Sequence, residues 1–137
     1  GWKPDVIHVH GWMSALVPMY LRLFQSENPI FKDAKVIFSA YDNGFKGSLG
    51  PKLKAGMEFD EIDPALTEGL EAPTTSDLHK LAAKYADLVV IGDENTDDLE
   101  EYAKSIGVDV IDGKAFGEQP EDAIKVYESL FVESDVE

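Results

Sequence analysis

The chain has no cysteine, so it can build neither a disulfide framework nor a thiolate metal centre. No apolar run approaches the roughly 20 residues of a membrane-spanning helix, and no signal-peptide pattern opens the sequence. The expectation is a cytoplasmic protein without a membrane partner. Basic side chains are scarce: 12 Lys and Arg stand against 27 Asp and Glu, a formal charge of −15. Such a chain repels phosphate backbones, so nucleic acid is not an expected partner. Histidine occurs only at positions 8, 10 and 79, which gives no i, i+4 helical pair for a metal. His8 and His10 could share a metal on one strand face with Asp42, but that pattern is weak and no metal or cofactor is expected. A Gly-x-Ser-x-Gly elbow and a Gly-Lys-Ser/Thr phosphate loop are both missing.

What is present has ordinary globular composition. The 137 residues are 44% apolar and 28% charged, enough for one domain around one core. Seven carboxylates and no basic residue fall between Glu58 and Asp77. They read as a solvated surface, since their spacing matches no EF-hand loop.

Apolar periodicity sets the expected architecture. Strands are expected near residues 5–10, 35–41, 88–92 and 108–112, each a short β-branched run. Along the first, Ile7 and Val9 face one side and His8 and His10 the other. His8 then reads as a hydrogen-bonded core histidine, while His10, nearer the strand end, is the better candidate for a ligand. A helix is expected over about Met13 to Phe24, with Pro18 kinking it or delaying its start. A second starts at Thr75 or Ser76, where either hydroxyl can cap it, and Leu78, Leu81, Ala82 and Tyr85 form its apolar face. A third runs from about Thr96 to Ser105. A fourth starts at Pro120 and turns Ile124, Tyr127, Leu130 and Phe131 to the core. Residues 50–74 show no clear period and read as a long acidic loop. Strands joined through helices give an α/β fold, an open parallel sheet of about four strands with helices on its faces, half of a doubly wound domain. Ligands of such sheets bind beyond the carboxyl ends of the strands. His10, Gly11, Trp12, Tyr41, Asp42, Asn43 and Asp93 lie at such ends and are expected to converge.

Two stretches carry a family resemblance. His8-Val9-His10-Gly11-Trp12 resembles the His-x-His-Asp-Trp element of bacterial glycogen and starch synthases, and Ala15-Leu16-Val17-Pro18-Met19-Tyr20-Leu21 resembles the helix that follows it. Phe38-Ser39-Ala40-Tyr41-Asp42, then Asn43-Gly44-Phe45-Lys46-Gly47, is similar in the same register to that family's Phe-Thr-x-His-Asn and hydrophobic-x-Tyr-Gln-Gly. Lys80 and Tyr85-Ala86-Asp87 match its Lys-x-x-x-x-Tyr-Ala-Asp; by itself Lys80 reads as a solvent-exposed helix residue. The resemblance runs from Trp2 to about Asp97. It implies the second part of the amino-terminal domain of a two-domain, GT-B-type glycosyltransferase. It would place the family's opening strand and Lys-x-Gly-Gly-Leu loop before Gly1, and its nucleotide-sugar-binding carboxyl-terminal domain outside the chain.

The resemblance also implies chemistry: transfer of glucose from a nucleotide-sugar, ADP-glucose or UDP-glucose, to an α-1,4-glucan. That transfer needs fixed dipoles and cations for the leaving phosphate and an oxocarbenium-like sugar. The chain departs from the family at two sugar-pocket positions. Gly11 replaces an Asp, and Tyr41 replaces a His, with Asp42 in place of the following Asn. No residue is therefore assigned a catalytic role. His10, Gly11, Trp12, Tyr41, Asp42 and Asn43 stand as substrate-binding candidates. Two readings result. One is a glucosyltransferase domain that is inactive by itself. The other is a glucan-binding or assembly module that keeps the fold without the chemistry. Either way, the strand at 5–10 is apolar and unguarded by Lys or Pro, so pairing with a second copy or with an amino-terminal segment is expected.

Overall fold

The computed structural model describes residues 2–25, 27–92 and 98–132. Four strands, β1 (Val6–His10), β2 (Lys35–Ala40), β3 (Leu88–Ile91) and β4 (Asp109–Asp112), form one sheet in the order β1-β2-β3-β4, all parallel. Five helices connect and follow them: α1 (Val17–Leu23), α2 (Lys52–Phe59), α3 (Thr75–Tyr85), α4 (Leu99–Ser105) and α5 (Pro120–Val132). The α/β class, the parallel sheet and the four strand positions are as the sequence implies.

A parallel sheet buries both faces, so its strands are apolar in succession rather than in alternation. β2 shows this most fully, with every residue from Val36 to Ala40 buried. One face, carrying Phe38, Ala40 and Val89, packs under Leu78, Ala82 and Ala83 of α3 and Leu99 and Ala103 of α4. The opposite face, carrying Ile37, Leu88 and Val90, packs under Val126, Tyr127 and Leu130 of α5. α1 lies against α3, and Met19 at its centre is fully buried.

Several local expectations are corrected. Residues 50–74 are not one long loop. They contain α2 and a 3-10 turn at Pro64–Leu66, and they bury Met57, Ile62 and Leu70 against Met19 and Leu81. Leu53 and Met57 already sit one helical turn apart; the surrounding carboxylates, which stay exposed, hide that spacing. The first helix divides. Trp12–Ser14 forms a 3-10 turn, and α1 begins only at Val17, with Pro18 in its first turn, where the missing N–H breaks no bond. The cap of α3 is Thr74, not Thr75 or Ser76. Thr74 Oγ1 accepts from the Asp77 amide and the Asp77 carboxylate accepts from the Thr74 amide, closing a capping box. α4 starts at Leu99; Thr96 and Asp93 lie outside the described residues. In α5, Ile124 and Phe131 point outward, because Val126, Tyr127 and Leu130 define the buried stripe. Lys80 is half-buried, and its ammonium lies 2.9 Å from the Asp98 carboxylate.

One side chain ties the bottom of the sheet together. Asp87 Oδ2 accepts from Arg22 Nη2 of α1 at 2.6 Å and from the Val36 amide of β2 at 2.8 Å. The same guanidinium nitrogen donates to the Ala34 carbonyl. Asp87→Ala leaves the Val36 amide and the Arg22 guanidinium short of an acceptor, which costs about 1–3 kcal/mol. Lys104→Ala breaks only an exposed i, i+4 pair with Glu100 and changes stability far less. Urea unfolding of the two variants should separate them clearly, and equal midpoints would show that Asp87 is not a tie.

Candidate functional site

The carboxyl end of β1 is shaped by Gly11. Its φ of 81° and ψ of 166° fall in a region open essentially to glycine alone. Its amide donates to the Ser39 carbonyl at 2.9 Å, which extends the β1–β2 ladder by one bond before the chain turns. Ser14 Oγ then donates to the His10 and Gly11 carbonyls at 2.9 Å each, pinning the 3-10 turn onto the strand end. A side chain at position 11 would require a different turn.

His8 and His10 stand side by side on the α5 face of β1, their rings stacked with centroids 4.0 Å apart. Both nitrogens of His8 are engaged, Nε2 with Ser39 Oγ at 2.7 Å and Nδ1 with the Tyr127 hydroxyl at 3.0 Å. Burial, and secondarily the charge of His10, lowers the His8 pKa from 6.5 to about 4, so His8 is a neutral imidazole at neutral pH. His10 is exposed, and its Nδ1 shares a 2.8 Å hydrogen bond with the Tyr41 hydroxyl. The Tyr41 ring in turn fills space left by Gly92: a Cβ at position 92 would lie 2.5 Å from it. Among the described residues no group of three His, Cys, Asp or Glu side chains is placed to hold a metal.

His10, Gly11 and Tyr41 thus meet at one end of the sheet. Asp42 and Asn43 lie exposed on the loop just beyond. Trp12 is turned the other way: it packs edge-to-face on Phe45, centroids 4.8 Å apart, against the α3-side core. Phe45 is itself fixed by Thr75 Oγ1, which accepts from its amide and donates to its carbonyl, each at 3.1 Å. Trp12 therefore anchors the loop after β2 rather than lining the histidine cluster.

A cavity of about 290 Å³ opens over the histidines, lined by His8, His10, Ser39, Tyr41, Tyr127 and Phe116, with Gly92 and Gly113 at its rim. Sequence reasoning placed Tyr127 on the core face of its helix without foreseeing a role here. The contact of Tyr127 with His8 spans 119 residues, and nothing local signals it or the place of Phe116 at the cavity. Gly92, a glycine ending an apolar strand, was the one visible sign of close approach.

A family model for the starch synthase catalytic domain matches residues 1–105. The chain belongs to this family. Among curated relatives, a glycogen synthase from Chlorobaculum parvum is 35% identical over 111 residues, covering 80% of this chain and 20% of that protein. A glycogen synthase from Chlorobium luteolum is 29% identical over 104 residues, covering 76% of this chain and 19% of that protein. The chain spans about a fifth of the length of these relatives. No solved structure matches it. The starch synthase match ends at residue 105, so Gly113, Phe116 and Tyr127, which close the cavity, lie beyond it.

The His8 shift has a testable sign. With a folded value near 4 and an unfolded value near 6.5, the unfolded chain binds more protons between those pH values, so stability falls as pH drops through that window. Melting His8→Asn and the parent across pH 4 to 7 should show a shallower loss of stability below pH 6.5 in the variant. Parallel profiles would mean that His8 is not held neutral by the fold.

Proposed function

We propose that this starch synthase-family chain handles the sugar partners of glucosyl transfer, a nucleotide-sugar such as ADP-glucose or UDP-glucose and an α-1,4-glucan, and that the 137 residues alone do not catalyse the transfer. The family match over residues 1–105 carries the first part. The site geometry supports the second. Gly11 offers a backbone turn where the family resemblance sets a carboxylate, and the Tyr41 hydroxyl is bonded to His10 where it sets an imidazole. Neither supplies a cation for a departing phosphate. A second reading, a non-catalytic glucan-binding module, is favoured by the same observation: the two departures leave a hydrogen-bonded pocket rather than a broken one.

Incorporation of labelled glucose from ADP-glucose or UDP-glucose into glycogen decides between activity and its absence. The expected result is no incorporation above a control without protein, and measurable incorporation would overturn the proposal.

The sheet edge supports an assembly role. Among the described residues β1 pairs only with β2. Because the Asp5 carbonyl and the Gly11 amide both bond toward β2, alternation turns the backbone groups of Val6 and His8 outward. Such an edge is a template for another strand, from a second copy or from an amino-terminal segment. Two copies each carrying −15 repel, so self-pairing should strengthen as salt screens the charge. Sedimentation at low and high salt should show mass rising with salt; a monomer at both would remove self-pairing.

A further inference from the structure

We propose that a groove along α1 docks a basic amphipathic helix of another protein, a role separate from sugar handling. The groove has a volume of about 660 Å³ and shares no lining residue with the histidine cavity. Its apolar walls are Leu16, Val17, Tyr20, Leu21, Phe24 and Phe31. Val17, Tyr20, Leu21 and Phe24 recur at three- and four-residue spacing, so they share one side of the helix. α1 is apolar on another side as well, where Met19 is fully buried. Its single charged residue, Arg22, is drawn to Asp87 and the Ala34 carbonyl. A helix without a polar face is ordinarily covered all round. Here the described residues leave Val17 38% exposed, and Met13, four residues before it, 84% exposed.

Charge chooses among occupants. The charged residues of the lining are Glu27 and Asp60, both carboxylates. Tyr20 donates its hydroxyl to Asp60 Oδ2 at 2.7 Å, which holds that carboxylate against the groove wall. Glu58 and Glu61, on either side of Asp60 in the chain, are exposed. No Lys or Arg lines the groove, and the positions outside the described residues hold none. Lys32 follows Phe31 but lies exposed and outside the lining. A second copy would bring the wrong sign. The outward apolar residues of its α5, Ile124 and Phe131, come with Glu121, Asp122 and Glu128, and each copy carries −15. A helix with an apolar stripe flanked by Lys or Arg matches both features: the stripe enters the groove and the cations meet Glu27 and Asp60.

The test titrates the full chain into a fluorescein-labelled peptide of leucine and lysine, about 14 residues or four helical turns long, with its leucines on one helical face, and follows anisotropy. One control peptide scrambles the same residues so that no apolar face forms; another carries glutamate in place of lysine. The first peptide should bind saturably and both controls about tenfold more weakly or worse. Val17→Lys places a cation in the groove at an exposed position and should weaken binding about tenfold or more. Glu27→Lys should weaken it about threefold or more, while Glu128→Lys on α5 should not change it; circular dichroism checks that each variant is folded. Failure of the leucine–lysine peptide to bind would overturn the proposal. Equal binding of the scrambled peptide would overturn it in favour of bulk charge attraction, and equal binding of the glutamate peptide would remove the basic partner. Full affinity in Val17→Lys would place the peptide elsewhere. Self-association in sedimentation that Val17→Lys abolishes would give the groove to a second copy and overturn the proposal too. None of these outcomes touches glucosyl transfer, which is measured separately.

Discussion

A parallel sheet has to be covered on both faces, and this requirement organises the molecule. β2 lies inside the sheet with five consecutive buried residues, so every other element takes its place from the need to shield it. α3 and α4 cover one face. The other is covered by the chain's last described helix, α5, which has to return across the sheet. That return brings Tyr127 onto His8. The polar cluster at the strand ends therefore follows from closing the second face, and the site and the core share one helix.

The strands and their direction were legible because they are short β-branched runs separated by helical patterns, and a parallel order follows from those connections. The division of the two histidine roles was legible from strand alternation alone: His8 is enclosed and His10 exposed. What escaped depended on tertiary context. α2 looked like loop because its two inward residues, Leu53 and Met57, are outnumbered by polar neighbours; only the α1–α3 layer gives Met57 something to pack on. The outward turn of Ile124 and Phe131 escaped for the opposite reason. Their apolar character fitted the pattern, but the stripe was fixed by which residues could reach Ile37 and Val90. Trp12 was placed at the right strand end, but which side of the sheet it faces depends on Phe45, 33 residues onward.

Charge shapes the molecule more by its distribution than by its total. The ion pairs Lys54–Glu71, Lys80–Asp98 and Lys104–Glu100 are on the surface, where such pairs contribute little. Arg22–Asp87 differs because the carboxylate also accepts a backbone amide and the guanidinium also meets a backbone carbonyl. That network fixes the amino ends of β2 and β3. At their carboxyl ends, the described cavity lining holds no carboxylate, lysine or arginine. Carboxylates stand just outside that lining, since Asp112 ends β4 and Asp42 follows β2.

The two departures from the family pattern are part of a connected arrangement. Tyr41 reaches His10 with its hydroxyl, and its ring occupies the volume that any side chain at position 92 would need. Tyr41 and Gly92 are therefore matched in size. Gly11 makes a turn that few other residues could make, and Ser14 secures that turn through the His10 carbonyl. His10 is thus held from its backbone by the turn and from its ring by Tyr41. Simple loss of a side chain at each of these positions would leave the remaining polar groups short of partners, at a cost for each one buried. Here Ser39 and Tyr127 bond to His8, Tyr41 bonds to His10, and the two imidazoles stack. Gly11, Ser14, Tyr41 and Gly92 therefore depend on one another: a change at any of them disturbs the turn or the ring contact that holds His10.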